Sequence, residues 1–160
     1  MSEARAGQGR YPEAIALSSG ALRGFATRGH ANAVADIQLR LGYFELEQAN
    51  LTRANEHLKE ALRDGVECGY RTCVAESLIC LSAIALGRED AATAGRLFAA
   101  RERLLTETGY ALWPLYQAPL ERTRAGVRAQ LTPAEIEMAA SEAEAMTLDQ
   151  IADYALRVTA

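Results

Sequence analysis

Three alanines set forty residues apart constrain the fold of this chain more than any other feature. They are Ala14 in Tyr11-Pro12-Glu13-Ala14, Ala54 in Leu51-Thr52-Arg53-Ala54 and Ala94 in Ala91-Ala92-Thr93-Ala94. Seven residues after the first two come Ala21-Leu22 and Ala61-Leu62. Four after the last two come Leu58 and Phe98, and thirteen before the same two stand Leu41 and Leu81. A fixed offset of this length marks an array whose units cannot bury their apolar sides alone and must stack on neighbours.

Each unit reads as two helices. In the middle unit Val34, Ile37, Leu41 and Phe44 step by three, four and three, which is one apolar stripe of a helix. Gln48-Ala49-Asn50 breaks the pattern, and Asn50 is expected to cap the next helix. Leu51, Ala54, Leu58, Ala61 and Leu62 form the second stripe, which ends near Gly65 and Gly69. In the third unit Val74, Leu78, Leu81 and Ala85 make one face, residues 87–90 the turn, and Ala94, Leu97, Phe98 and Leu104 the partner face, up to Gly109. The chain holds 32 alanines, so close helix crossings with small side chains are expected, and Gly42 and Ala54 are placed at one of them.

Leu41-Gly42, Ala49-Asn50, Leu51, Ala54, Leu58 and Ala61-Leu62 resemble the tetratricopeptide motif. Three departures are Gln38 where that family prefers tryptophan, Glu45 in place of an aromatic, and Val66 in place of the closing proline. The offset also exceeds the usual 34 residues of that repeat. The resemblance implies an all-α, right-handed solenoid of helical hairpins with a period of about 40 residues.

After Gly109 the repeat stops. Trp113-Pro114 is expected to start a helix running through Leu115, Leu120 and Val127. Thr132-Pro133-Ala134-Glu135 has the pattern of a capping box with proline at the first helical position, and Thr147-Leu148-Asp149-Gln150 repeats it before a last helix. Short helices here suit a cap over the last apolar face. The chain is therefore read as a single domain, with 1–30 a partial first repeat, 31–70 the second, 71–110 the third, and 111–160 capping helices.

This half carries a second resemblance. Residues 94–100, through Leu104-Leu105 to Thr108-Gly109, and the closing stretch Glu144-Ala145-Met146-Thr147-Leu148-Asp149-Gln150-Ile151-Ala152 resemble the end of a family of large bacterial regulators. These are of LuxR type, of the Streptomyces antibiotic regulatory type, or fused to cyclases, and in them a signal-transduction ATPase precedes helical repeats. The family often has tryptophan where this chain has Ala140-Ser141. By the same comparison the first unit lacks most of its leading helix, as expected of a fragment or of a short relative. Its leading face, residues 11–29, is then uncapped and expected to self-associate.

Composition bounds the function. A net charge of −4 and a pI near 5.3 give no general attraction to nucleic acid or to an anionic membrane. No apolar run approaches the ~20 residues needed to span a bilayer, and Met1–Arg10 has no signal-peptide core. A cytoplasmic location is expected. Cys68, Cys73 and Cys80 have neither disulfide-framework nor zinc spacing. Cys80 is read as a small buried apolar residue and Cys68 as exposed. His30 and His57 are read as solvated, with no nucleophile pattern beside them. Gly7-Gln8-Gly9-Arg10 lacks the lysine and the preceding strand of a phosphate loop. Arginines 96, 101, 103, 122, 124 and 128 either gather into a basic face or, as the preferred reading, are solvated helix surface with Glu102 and Glu121 interspersed. No catalytic, metal or cofactor residue is assigned, and an enzyme is not expected.

In solenoids of this kind the first helix of each pair lines a concave face. By that analogy Asp36, Leu39, Arg40 and Tyr43 in one unit, and Glu76, Ile79, Cys80 and Ala83 in the next, line a groove suited to a peptide or a partner helix. In the competing reading Leu39, Ile79 and Cys80 pack beneath the terminal helices, which then fill the groove. Trp113 and Tyr116 are correspondingly either ligand anchors or part of the cap. The expected function is a non-enzymatic protein-interaction module, the regulatory repeat domain of a transcription or signalling regulator. A small-molecule sensor and a structural oligomerisation unit are the alternatives.

Overall fold

Helices in this chain stop at regular intervals. In the computed structural model, which describes residues 1–109 and 112–158, positive φ occurs at Gly9, Gly29, Ala49, Gly69, Glu89 and Gly109, each twenty positions after the last. At the first five of these stops the amide of the residue just after the left-handed one donates to the carbonyl five positions back. Asn50 N–H bonds Glu45 O at 2.9 Å, Tyr70 bonds Gly65 at 2.7 Å and Asp90 bonds Ala85 at 3.0 Å. This closure satisfies carbonyls at the helix end and needs one left-handed residue to form.

The helices are α1 (Ser2–Ala6), α2 (Tyr11–Ala26), α3 (Ala31–Glu47), α4 (Leu51–Glu67), α5 (Arg71–Gly87), α6 (Ala91–Thr108), α7 (Gln117–Gln130), α8 (Pro133–Ala145) and α9 (Leu148–Val158). A short 3-10 turn, Pro114–Tyr116, precedes α7, so the helix expected from Trp113 starts three residues later than its proline suggests. No strand occurs among the described residues, and the fold is all-α. No described helix is long and apolar enough to cross a membrane. The boundary expected between 110 and 111 lies outside the described residues.

Successive helices from α1 to α6 pack on one another, and α3 also touches α5. Helix α7 lies against α5, α8 against α6, and α9 returns across α4, α5 and α6. Ala14, Ala54 and Ala94 are all fully buried. The main core runs from Phe44, Leu58 and Leu62 through Leu78, Leu81 and Leu97 to Ile151 and Ala155. At Gly42 the helices meet so closely that a Cβ would lie 2.5 Å from Leu58 Cγ.

The two expected capping boxes are present. Thr132 Oγ1 accepts from Glu135 N, whose side chain accepts from Thr132 N, and Thr147 and Gln150 exchange the same pair of bonds at 2.8 and 3.2 Å. The cap expected of Asn50 is not. Asn50 stands at the N-cap position of α4, but its side chain instead donates to Glu45 Oε2 at 2.7 Å. Asp90, at the same place before α6, does accept from Thr93 N at 3.0 Å.

Four of the six left-handed positions are glycine, and Ala49 and Glu89 are the exceptions. A Cβ is disfavoured there by about 1–2 kcal/mol, partly offset by the greater freedom of glycine in the unfolded chain. Ala49→Gly and Glu89→Gly are each expected to raise the unfolding free energy by about 0.5–1 kcal/mol. Urea midpoints measure this, and unchanged or lower midpoints would contradict the turn geometry.

Candidate functional site

The groove assigned from the repeat is filled by the chain itself. Leu39, Tyr43, Glu76, Ile79 and Cys80 are all buried, at 5% exposure or less. Trp113, the turn Pro114–Tyr116 and α7 cover them. The Tyr116 ring meets the Tyr43 ring edge-on, with centroids 5.5 Å apart. The Trp113 amide points at Glu76 Oε1, 3.5 Å away, and the Arg40 guanidinium lies 5.5 Å from the Trp113 ring centroid. Trp113 and Tyr116 are thus cap residues. Ala83 stays half-buried on α5.

This correction has a physical cause visible in α5. Every residue from Cys73 to Ser82 is buried, so this helix has no solvated side. A helix that is apolar on all sides must be enclosed on all sides, and α7 encloses it. Burial pushes the Cys73 and Cys80 thiols well above the ordinary thiol range, which leaves them as unreactive packing groups. Cys68, expected to be exposed, is half-buried.

Open space survives at the other end of the array. A cleft of about 370 Å³ lies between the amino terminus, α2 and α3, with Met1, Leu17, Ala21 and Phe25 on one side and Ile37, Asp36 and Arg40 on the other. Two of the expected groove residues therefore reach a surface, but this one. Arg40 Nη2 donates to Asp36 Oδ2 at 2.5 Å, and Nη1 lies 3.0 Å from Glu3 Oε1. Burial raises the Asp36 carboxyl above its usual value, and Arg40 pulls the other way.

Met1, Leu17 and Phe25 are 94%, 42% and 36% exposed, and with Met138 they are the large apolar side chains left facing solvent among the described residues. Leu17 and Phe25 lie within residues 11–29, the face expected to be uncapped, and outside the residues expected to line the concave face.

The two polar departures from the tetratricopeptide motif, Gln38 and Glu45, each pair with another side chain. Gln38 Oε1 lies 2.7 Å from His57 Nδ1, and Glu45 takes the Asn50 amide. His57 is therefore half-buried between α3 and α4, facing Gln38, rather than solvated. Burial lowers the imidazole below its ordinary value, against the pull of Glu45 and Glu56. A group depressed in the folded state contributes its stability above the unfolded value near 6.5 and loses it as the pH falls towards the folded one. Urea midpoints should fall across that window, and His57→Gln should flatten the fall.

The arginines do not form a basic face. Arg96 pairs with Glu142, Arg122 with Glu47, and Arg124 with Glu121. Arg103 binds Glu107 and donates to the carbonyls of Ala143 and Met146, which ties α6 to the end of α8. Arg101 is 2% exposed and pairs with Glu102, so it is a core residue and not a surface one. It stands forty residues after Ala61, at an alanine position of the repeat. Among the described residues no group of three or more His, Cys, Asp or Glu side chains is placed to hold a metal ion. The cleft lining thus combines apolar side chains with the Asp36–Arg40 ion pair.

No family model matches the chain, and neither a curated protein nor a solved structure matches it.

Proposed function

We propose that this chain is a tetratricopeptide-like helical-repeat module that binds protein partners, of the kind that regulates bacterial transcription or signalling proteins. The binding face in this reading is the cleft between α2 and α3, and the partner element is an amphipathic helix. One observation carries it: Met1, Leu17 and Phe25, three of the four exposed large apolar side chains among the described residues, converge on that cleft. Apolar side chains gathered at one concavity with a charged inner end are the pattern of a helix-in-groove site. The forty-residue recurrence of Ala14, Ala54 and Ala94, each fully buried, supports the repeat reading.

A photo-crosslinking amino acid at Leu17, with one at exposed Glu56 on α4 as control, tests this in cells. Protein adducts at position 17 well above those at position 56 are expected. Equal yields at the two positions would refute the site.

A further inference from the structure

We infer that a second site, separate from the α2–α3 cleft, lies between α6, α7 and α8 and takes a small amphipathic cation, an apolar body carrying an ammonium group. Helix α8 rests on α6 through the buried Ala139 and Ala143, whereas α7 lies mainly on α5. The two therefore diverge from the turn at Leu131-Thr132 and leave a cleft of about 390 Å³ over α6. That volume falls at the lower end of the roughly 300–1,000 Å³ of small-molecule sites. Each wall belongs to a helix with another helix before and after it in the chain.

The two ends of the cleft differ. Toward the turn its lining is apolar, with Phe98, Val127, Ile136 and Ala140. Ala85, Ala94 and Val127 form a small core apart from the main one, and Phe98 and Ile136 sit half-buried at its edge. Apolar surface that the helices leave uncovered thus faces the cleft. Toward the end of α6 the lining is polar, with Glu102, Thr106 and Glu107 on α6 and Glu144 on α8. From Gly95 to Thr106 the cleft follows α6 for about 16 Å. A molecule lying along it meets apolar groups at one end and carboxylates at the other.

The sign of the head group follows from which charges are already matched. Arg103 donates to Glu107 and to the carbonyls of Ala143 and Met146. Arg101 pairs with Glu102. Arg124, whose guanidinium lies 6.0 Å from the Phe98 ring centroid, pairs with Glu121. Glu144 is exposed at the mouth and forms no ion pair among the described residues. The charge left over is negative. An ammonium within hydrogen-bond reach of Glu144 matches it, whereas a carboxylate head would face Glu102, Glu107 and Glu144 together.

Titration of the full chain with n-octylammonium, octan-1-ol and octanoate, followed by amide and methyl NMR, tests the site. Octylammonium should bind with a Kd of about 10 μM to 1 mM and shift the signals of Phe98, Val127, Ile136 and Ala140. It should bind about threefold to tenfold tighter than octanol, and octanoate should bind weakest. Glu144→Gln should remove this preference with octanol binding unchanged, and Glu144→Arg should transfer it to octanoate. Ala140→Trp, at an exposed position, should abolish binding of all three by filling the cleft, and Leu17→Arg should change nothing. If Ala140→Trp lowers the melting temperature, the two Glu144 variants decide alone. The inference is overturned by no octylammonium binding up to that limit, or by shifts confined to α2 and α3. Equal affinities for octylammonium and octanoate overturn it as well, as does a Glu144→Gln chain that keeps the preference.

Discussion

Tyr116→Ala is expected to lower the stability by about 3–5 kcal/mol, the range for deleting a fully buried aromatic side chain. Tyr116 is 1% exposed and belongs to the main core, although it lies in the turn before α7. Its ring packs edge-on to Tyr43 and closes the face formed by α3 and α5. Removing the ring takes away apolar burial, leaves a void the surrounding helices close only in part, and loosens the cover over Ile79 and Cys80. For a domain of this size that loss corresponds to roughly 6–20 °C in melting temperature. The hydroxyl has no hydrogen-bond partner, and burial raises its pKa well above the ordinary tyrosine value. Tyr116→Phe should therefore be neutral or slightly stabilising, because a buried polar group without a partner costs free energy. A Tyr116→Ala loss under about 1 kcal/mol would mean that the segment is not seated on α3 and α5.

Gly42→Val should cost about 1–3 kcal/mol or more by overpacking. The added Cβ would stand 2.5 Å from Leu58 Cγ, 2.8 Å from Cδ2 and 3.2 Å from the Ala54 carbonyl oxygen. Neither neighbour can easily yield: Leu58 is fully buried, and the third contact is backbone. Alanine at 42 would gain about 1 kcal/mol in helix propensity and lose more than that in packing. Gly20, in the middle of α2, supplies the control, because a Cβ there meets nothing within 4 Å. Gly20→Ala should stabilise by about 0.5–1 kcal/mol. Thermal or urea unfolding of the two variants side by side separates propensity from crowding, and a stabilised Gly42→Val chain would disprove the α3–α4 contact.

The site was less legible than the fold. Asp36 and Arg40 were picked out as groove-lining positions on α3 and do reach a surface, whereas Leu39, Tyr43, Glu76 and Ile79 were picked out by the same rule and lie under the cap. Periodicity separates one side of a helix from the other. It does not say which later segment will cover the side left over. In α5 the warning was present, since an apolar residue or cysteine occurs on every side of the helix from Cys73 to Ala85. Leu17 and Phe25 fall within residues 11–29, the face expected to be uncapped, and both are exposed.

Local chemistry in the sequence determined where helices start and stop. Glycines at 9, 29, 69 and 109 can adopt the left-handed turn, the threonines at 132 and 147 carry their capping partners three residues on, and the alanines at 14, 54 and 94 mark close crossings. Each of these depends on residues within a turn or two, so spacing alone reveals it. Tertiary structure decided what depends on partners far along the chain. It seated Tyr116 against Tyr43, buried Arg101 at an alanine position, paired His57 with Gln38, and left the α2–α3 cleft open. Burial is a property of the assembled surface, and no one segment carries it.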